Sequence, residues 1–205
     1  MTAPDLAAMI TAEHAEVCEL AGSLTTQQWD APSLCGGWSV RDVMIHLADH
    51  IHRSGPQAIG ALVRGGFSPT RSTQRTVDRG RHIPAAELIG WLEQPVRAPS
   101  VVQLCELVIH HQDVRRALGL SRAMSPERVV ACLDYGLTRA GSAAVAGARR
   151  RAIGLGLVGV DASWRHGGGA EITGPAEALL LALNGRREAI DDLSGEGVEV
   201  LRGRV

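Results

Sequence analysis

The chain has 205 residues, 45% of them apolar and 21% charged, which is ordinary globular composition and enough for one domain or a domain with a small appendage. A formal net charge of -1 and a pI near 6.7 leave no bulk field to draw nucleic acid or an anionic membrane, so both are excluded as expected partners. Aromatics are only 3%, so the core must be built from Leu, Val, Ile and Ala, a mixture that suits helix packing.

Taken in chain order, Pro4–Ser23 reads as an amphipathic helix with Leu6, Ile10, Val17, Ala21 and Leu24 on one stripe. Gly36-Gly37-Trp38 breaks the chain, with Trp38 expected to staple the loop to the helices. Ser39 with Asp42 three residues on then resembles a capping box. A long helix is expected through Val43, Leu47 and Ile51 as far as Leu62. Arg64–Arg81, rich in Gly, Ser, Thr and Arg without an apolar period, reads as a surface loop. A short helix near Ala85–Glu93 precedes Pro95 and Pro99, and a third long helix is expected from Ser100 to Leu118, stopped at Gly119. Ser125-Pro126-Glu127 is a strong helix start for a fourth long helix reaching Ala146.

Beyond Arg151 the texture changes. Ile153–Val160 is rich in β-branched residues and glycine, Asp161–Glu171 reads as a hairpin through Gly167-Gly168-Gly169, Pro175–Asn184 as a helix, and Val198–Leu201 as a last strand. The expected fold class is mainly α: an up-down four-helix bundle over 1–148 followed by a small α/β domain over 149–205. The N-terminus shows no basic region followed by an apolar stretch, and no apolar run approaches the roughly 20 residues of a bilayer span. Cys18, Cys35, Cys105 and Cys132 are widely spaced, so disulfides are not expected and the chain reads as cytoplasmic, as a monomer or homodimer.

Glu106 and His110 are four residues apart and so project from one face of a helix, one turn apart. Two readings stay open on spacing alone: a surface polar pair, or ligands of one ion with His46 as a third across the core. Two histidines and a carboxylate suit a catalytic divalent cation with open positions better than a closed structural site. Around them, Asp113 could orient the His110 ring, His50 lies one turn beyond His46, and His14 borders the first helix's apolar stripe and could line a pocket. His111 points about 100° from His110 and should face solvent or another helix. Cys105 reads as a small buried hydrophobe.

The run Gly37-Trp38-Ser39-Val40-Arg41-Asp42-Val43-Met44-Ile45-His46-Leu47-Ala48 resembles the G-W-[ST]-V-R-D-V-x-x-H-L-A signature of the mycothiol-dependent maleylpyruvate isomerase-like family, within the wider DinB-like metal-binding bundle superfamily. Glu106-Leu107-Val108-Ile109-His110-His111-Gln112-Asp113 matches its second signature, E-x-x-x-H-x-x-D. Gly174-Pro175-Ala176-Glu177-Ala178-Leu179-Leu180, with Leu183 and Gly185-Arg186, resembles its small C-terminal domain. The resemblance implies a DinB-like bundle with His46, Glu106 and His110 as metal ligands, zinc most often, and mycothiol as the thiol cofactor. The function it implies is isomerisation or S-transfer on a small electrophilic substrate. A non-catalytic metal-binding stress or regulatory module is the alternative, because a fold does not transfer its chemistry. The Arg64–Arg81 segment could bind substrate carboxylates, and Arg202 or Arg204 could act from the tail, which is shorter than in the better-defined isomerases.

Overall fold

A computed structural model describes residues 3–53, 55–97, 99–120, 123–144 and 147–205. The fold is mainly helical with a small three-stranded sheet near the C-terminus, as expected. Its contacts divide into two compact units, Met1–Ser121 and Arg122–Val205. Among the described residues no helix is long and apolar enough to cross a membrane.

Among the described residues the first unit holds seven helices: α1 (Ala3–Ser23), α2 (Thr26–Trp29), α3 (Val40–His52), α4 (Gly55–Arg64), α5 (Pro69–Gly80), α6 (Ala85–Leu92) and α7 (Val101–Ala117). Helix α7 is its axis. Apart from Glu106 and His110 it is buried from Gln103 to Val114, with α1 on one side and α3 on another. A helix buried nearly all round carries little amphipathic signal, so α7 is recognised by its ends. The Ser100 hydroxyl accepts from Gln103 N, and Gly119 takes the left-handed conformation at φ 67°. Helix α3 begins on the expected capping box, in which Ser39 and Asp42 satisfy each other's backbone N–H groups.

Two expectations about this unit need correcting. The long second helix stops at His52, where Arg53 turns to extended backbone (ψ 121°), and a separate helix starts at Gly55-Pro56. Most of Arg64–Arg81 is helical, not a loop. Ser68 caps α5 by accepting from Arg71 N, and Pro69 lies in the first turn. The buried face of α5 consists of Ser72, Val77 and Gly80, residues too small and too polar to register as an apolar period. Gly80 is needed there: a Cβ would come within 2.5 Å of the Ile45 side chain on α3.

The second unit runs α8 (Pro126–Leu137), α9 (Arg139–Ala144), α10 (Ala148–Arg151), β1 (Leu155–Gly159), β2 (Trp164–Gly167), β3 (Ala170–Gly174), α11 (Ala176–Leu183), a 3-10 turn (Arg187–Asp192) and α12 (Val198–Arg202). Helix α11 is its hub, buried along its length and packed on α8, β1 and the 3-10 turn. The expected fourth long helix ends early. Thr138 leaves helical conformation (ψ 165°), and its hydroxyl accepts from Gly141 N to start α9. A Cβ at Gly141 would overlap the Tyr135 carbonyl oxygen.

The expected hairpin is also replaced. Strand order is β2-β1-β3, with β2 antiparallel and β3 parallel to β1, so β2 and β3 never pair. The glycine run instead carries the chain past the start of β1. A Cβ at Gly167 would sit 2.5 Å from Leu155 O, and one at Gly169 2.3 Å from Gly154 O. Val198–Leu201, expected as a strand, is part of α12, a single turn that buries Leu201. Gly197 N bonds to Glu171 O just before it.

Candidate metal centre

On α7, Gln103, Glu106, His110 and Asp113 fall on one face at helical spacing, and α3 presents His46 and His50 to it. The result is a polar seam through an apolar unit. Each member has a partner, although the buried Gln103 Nε2 has none among the described residues. His46 Nε2 donates to Glu106 Oε2 at 2.7 Å, and His110 Nε2 lies 3.4 Å from the same oxygen. The two imidazole centres are 4.8 Å apart and nearly perpendicular, at 80°. His110 Nδ1 donates to Asp113 Oδ2 at 2.8 Å, and His50 Nδ1 donates to Gln103 Oε1 at 3.1 Å.

One ligand atom each from His46, Glu106 and His110 lies within 4.8 Å of the others, a group that could hold a metal ion. Around a tetrahedral cation with ligands about 2.0–2.1 Å away, neighbouring ligand atoms sit roughly 3.3 Å apart. The observed 2.7 and 3.4 Å separations bracket that spacing. The three side chains retain 11%, 14% and 11% of their surface, which is enough for access from one side. Asp113, wholly buried, fixes the ring: with Nδ1–H given to the carboxylate, His110 turns Nε2 toward Glu106.

The electrostatics follow from this crowding. Burial pushes the His46 imidazole below its ordinary 6.5, in spite of its bond to Glu106. Burial acts the same way on His110, but its bonds to Asp113 and Glu106 prevail and raise it to about 9. Burial alone would raise Glu106, yet the hydrogen bonds from His110 and His46 hold it well below 4.5. The cage holds an ionised carboxylate, one neutral imidazole and one imidazolium, so a cation entering it would have to displace protons.

The remaining sequence candidates divide. Asp113 stands where it was expected. His50 borders His46, with ring centres 5.5 Å apart, but is engaged by Gln103 and lies outside the ligand group. His14 is not brought to the site: its Nε2 donates to Leu92 O at 2.5 Å, tying α1 to α6. His111 faces another helix, its Nδ1 donating to Glu13 Oε1 at 2.7 Å, both side chains fully buried. Arg202 pairs with Asp191 and Glu199, and Arg204 donates to the carbonyls of Arg151 and Ile153, so both serve the tail's own packing. Cys105 is buried, as expected.

Sequence reasoning missed two neighbours. Trp38 does staple its loop, through Nε1 to Gln74 Oε1 on α5, but its ring also walls the site, 5.4 Å from His46 and 6.3 Å from His110 centre to centre. Cys35 offers its sulfur within 4.8 Å of ligand atoms on His110 and Asp113. Its segment is held there by Leu34 N, which donates to Asp113 O at 3.1 Å. No spacing rule connects residue 35 with residue 113. Asp42, which caps α3, receives two bonds from Arg81 (2.9 and 3.0 Å). Although burial opposes it, Arg81 and Ser39 together draw the Asp42 carboxyl below its ordinary value.

Comparison with known proteins agrees with the family resemblance. Residues 10–100 match the family profile of the mycothiol maleylpyruvate isomerase N-terminal domain, a stretch that includes His46 and ends before α7. Two solved structures of the mycothiol-dependent maleylpyruvate isomerase, one of a histidine-to-alanine mutant, share the fold at a TM-score of 0.58. Each is 14% identical, over 95% of this chain and 93% of the other. The chain matches none of the curated protein sequences.

Proposed function

We propose that this protein is a metal-dependent enzyme that uses a low-molecular-weight thiol, mycothiol, for isomerisation or S-transfer on a small electrophilic substrate. In this reading His46, Glu106 and His110 hold a divalent cation, zinc in the first place. The observation that carries the proposal is the convergence of two imidazoles and a carboxylate, from two helices, on one partly accessible point. The family match over residues 10–100 supports the thiol.

A cation there supplies Lewis acidity, favouring the thiolate, the nucleophilic form of a thiol bound to it. The chain's own residues do the rest. Glu106 brings the only negative charge among the three ligands, and three ligands leave a position for an incoming group, as open catalytic sites require. Asp113 holds His110 in one tautomer and one orientation. Trp38 covers one side of the imidazole pair and limits water there.

The test is metal analysis of the purified protein, followed by calorimetric titration with mycothiol in the wild type and in His46→Ala. One equivalent of metal, with thiol binding lost in the variant, is the expected result. Stoichiometric metal with neither thiol binding nor turnover of electrophiles would overturn the enzyme reading and leave a metal-binding module.

A further inference from the structure

Away from the metal centre, the first unit contains a cavity of about 700 Å³ bounded by α3, α4, α5, α6 and the segment after α6. That volume lies in the range of sites that enclose a small molecule. None of His46, Glu106 and His110 lines it; helix α3 contributes Ile45, Ala48, Asp49 and His52 instead. The cavity is therefore a different place from the metal centre, on different side chains.

Its charge is unlike that of the chain. Arg53, Arg64, Arg75, Arg79 and Arg97 line it against one carboxylate, Asp49, a formal charge of +4 with histidine neutral, in a protein whose net charge is -1. Asp49 is already paired with Arg53, which also donates to Thr76 Oγ1. Among the described residues none of Arg64, Arg75, Arg79 and Arg97 has a carboxylate partner. Four guanidiniums around one concave space repel each other unless an anion joins them. Arg75 and Arg79 are one turn apart on α5, so they can grip one group together. Arginine's planar fork matches two oxygens of a carboxylate or phosphate, which a lysine in the same place would not do.

Part of the wall is apolar. Ile45, Ile83 and the half-exposed Trp91 line the same cavity, and Trp91 offers a flat ring. The arrangement is also braced. His52 Nε2 donates to Trp91 O at 2.7 Å, and Arg97 N to Ile51 O at 3.2 Å, tying α6 and the segment after it to α3. We infer that this cavity binds a small organic oxyanion, with its carboxylate or phosphate held by the arginines and a flat apolar body lying against Ile45, Ile83 and Trp91.

The test uses the full-length, metal-loaded protein and three probes sharing one ring system: 1-naphthyl phosphate, 1-naphthoate and neutral 1-naphthol, each titrated by calorimetry. At least one anionic probe is expected to bind saturably and more weakly as salt is added, and the tighter of the two identifies the preferred headgroup. In the Arg75→Ala/Arg79→Ala variant, whose substitutions are at exposed positions, binding of that probe should weaken at least about tenfold, roughly 1.4 kcal/mol. Arg97→Ala, on a separate segment, should weaken it several-fold, while His46→Ala should leave it unchanged. 1-Naphthol should not respond to the arginine substitutions. Absence of saturable binding by both anions would overturn the inference. So would anion binding that His46→Ala abolishes and the arginine variants retain, because it would place the probe at the metal.

Discussion

Asp113 is the residue on which the candidate site turns without being one of its ligands. Buried entirely, it accepts the Nδ1 proton of His110 and thereby decides which nitrogen is offered to a cation. Asp113→Asn keeps the volume and loses the charge, and metal affinity should fall about 10–100-fold, measured by competition with a chromogenic chelator. Protons give an independent check. The folded value of His110, about 9, lies above its ordinary 6.5, so its contribution to metal-free stability is full below about 6.5 and is lost as pH climbs through 9. His46 and Glu106 are shifted downward, so theirs is present above their ordinary values and lost as pH falls. The metal-free protein should therefore lose thermal stability from about pH 6.5 toward 9, and His110→Ala should flatten that alkaline limb. An identical alkaline decline in the variant would contradict the assignment of the raised value to His110.

At the scale of elements, α1 and α7 are joined by more than apolar burial. Glu13 sits on the buried stripe of α1 with Ile10, Val17 and Leu20, and meets His111 at 2.7 Å with both side chains at zero exposure. Glu13→Ala leaves a polar ring buried and should cost roughly 3–5 kcal/mol in chemical denaturation, far more than an exposed pair. Legibility follows the same physics. The start of α3 and both ends of α7 could be read because caps and glycine stops are local signals, and the metal candidates because His46, Glu106 and His110 lie in compact signatures. Partners far apart in the chain could not. Glu13 and His111 are 98 positions apart, and an acid on an apolar stripe resembles a break in the stripe. Helix α5 went unread because its inward face is Ser72, Val77 and Gly80, although Ser68-Pro69 is the same kind of start as Ser125-Pro126. The glycine run misled for the opposite reason: three glycines favour a turn, and only the strand order reveals that they are there to clear the backbone of β1. Gly169→Ala, at φ 116° and against the Gly154 carbonyl, should lower the melting temperature by several degrees, whereas Gly168→Ala, with open space around it, should change it little.

For the molecule as a whole, a net charge of -1 says nothing about where charge is concentrated, and neither the arginine-lined cavity nor the buried seam on α7 could be inferred from composition. The two compact units also differ in what a ligand can do for them. The polar seam lies wholly in Met1–Ser121, while the core of Arg122–Val205 is α11 with Leu155, Leu157 and Ile172, a sheet-and-helix packing without a candidate metal group among the described residues. A cation bound to the folded state adds stability as its free concentration exceeds Kd, about 2.7 kcal/mol at a hundredfold excess. That increment should appear where the ligands are. In hydrogen exchange, chelator should speed the exchange of α3 and α7 amides, which metal slows again, and leave β1 and α11 unaltered. His46→Ala should exchange at the chelated rate with or without metal. Equal acceleration of both units by chelator would instead mean that the cation stabilises the chain globally, and a site confined to His46, Glu106 and His110 would not account for it.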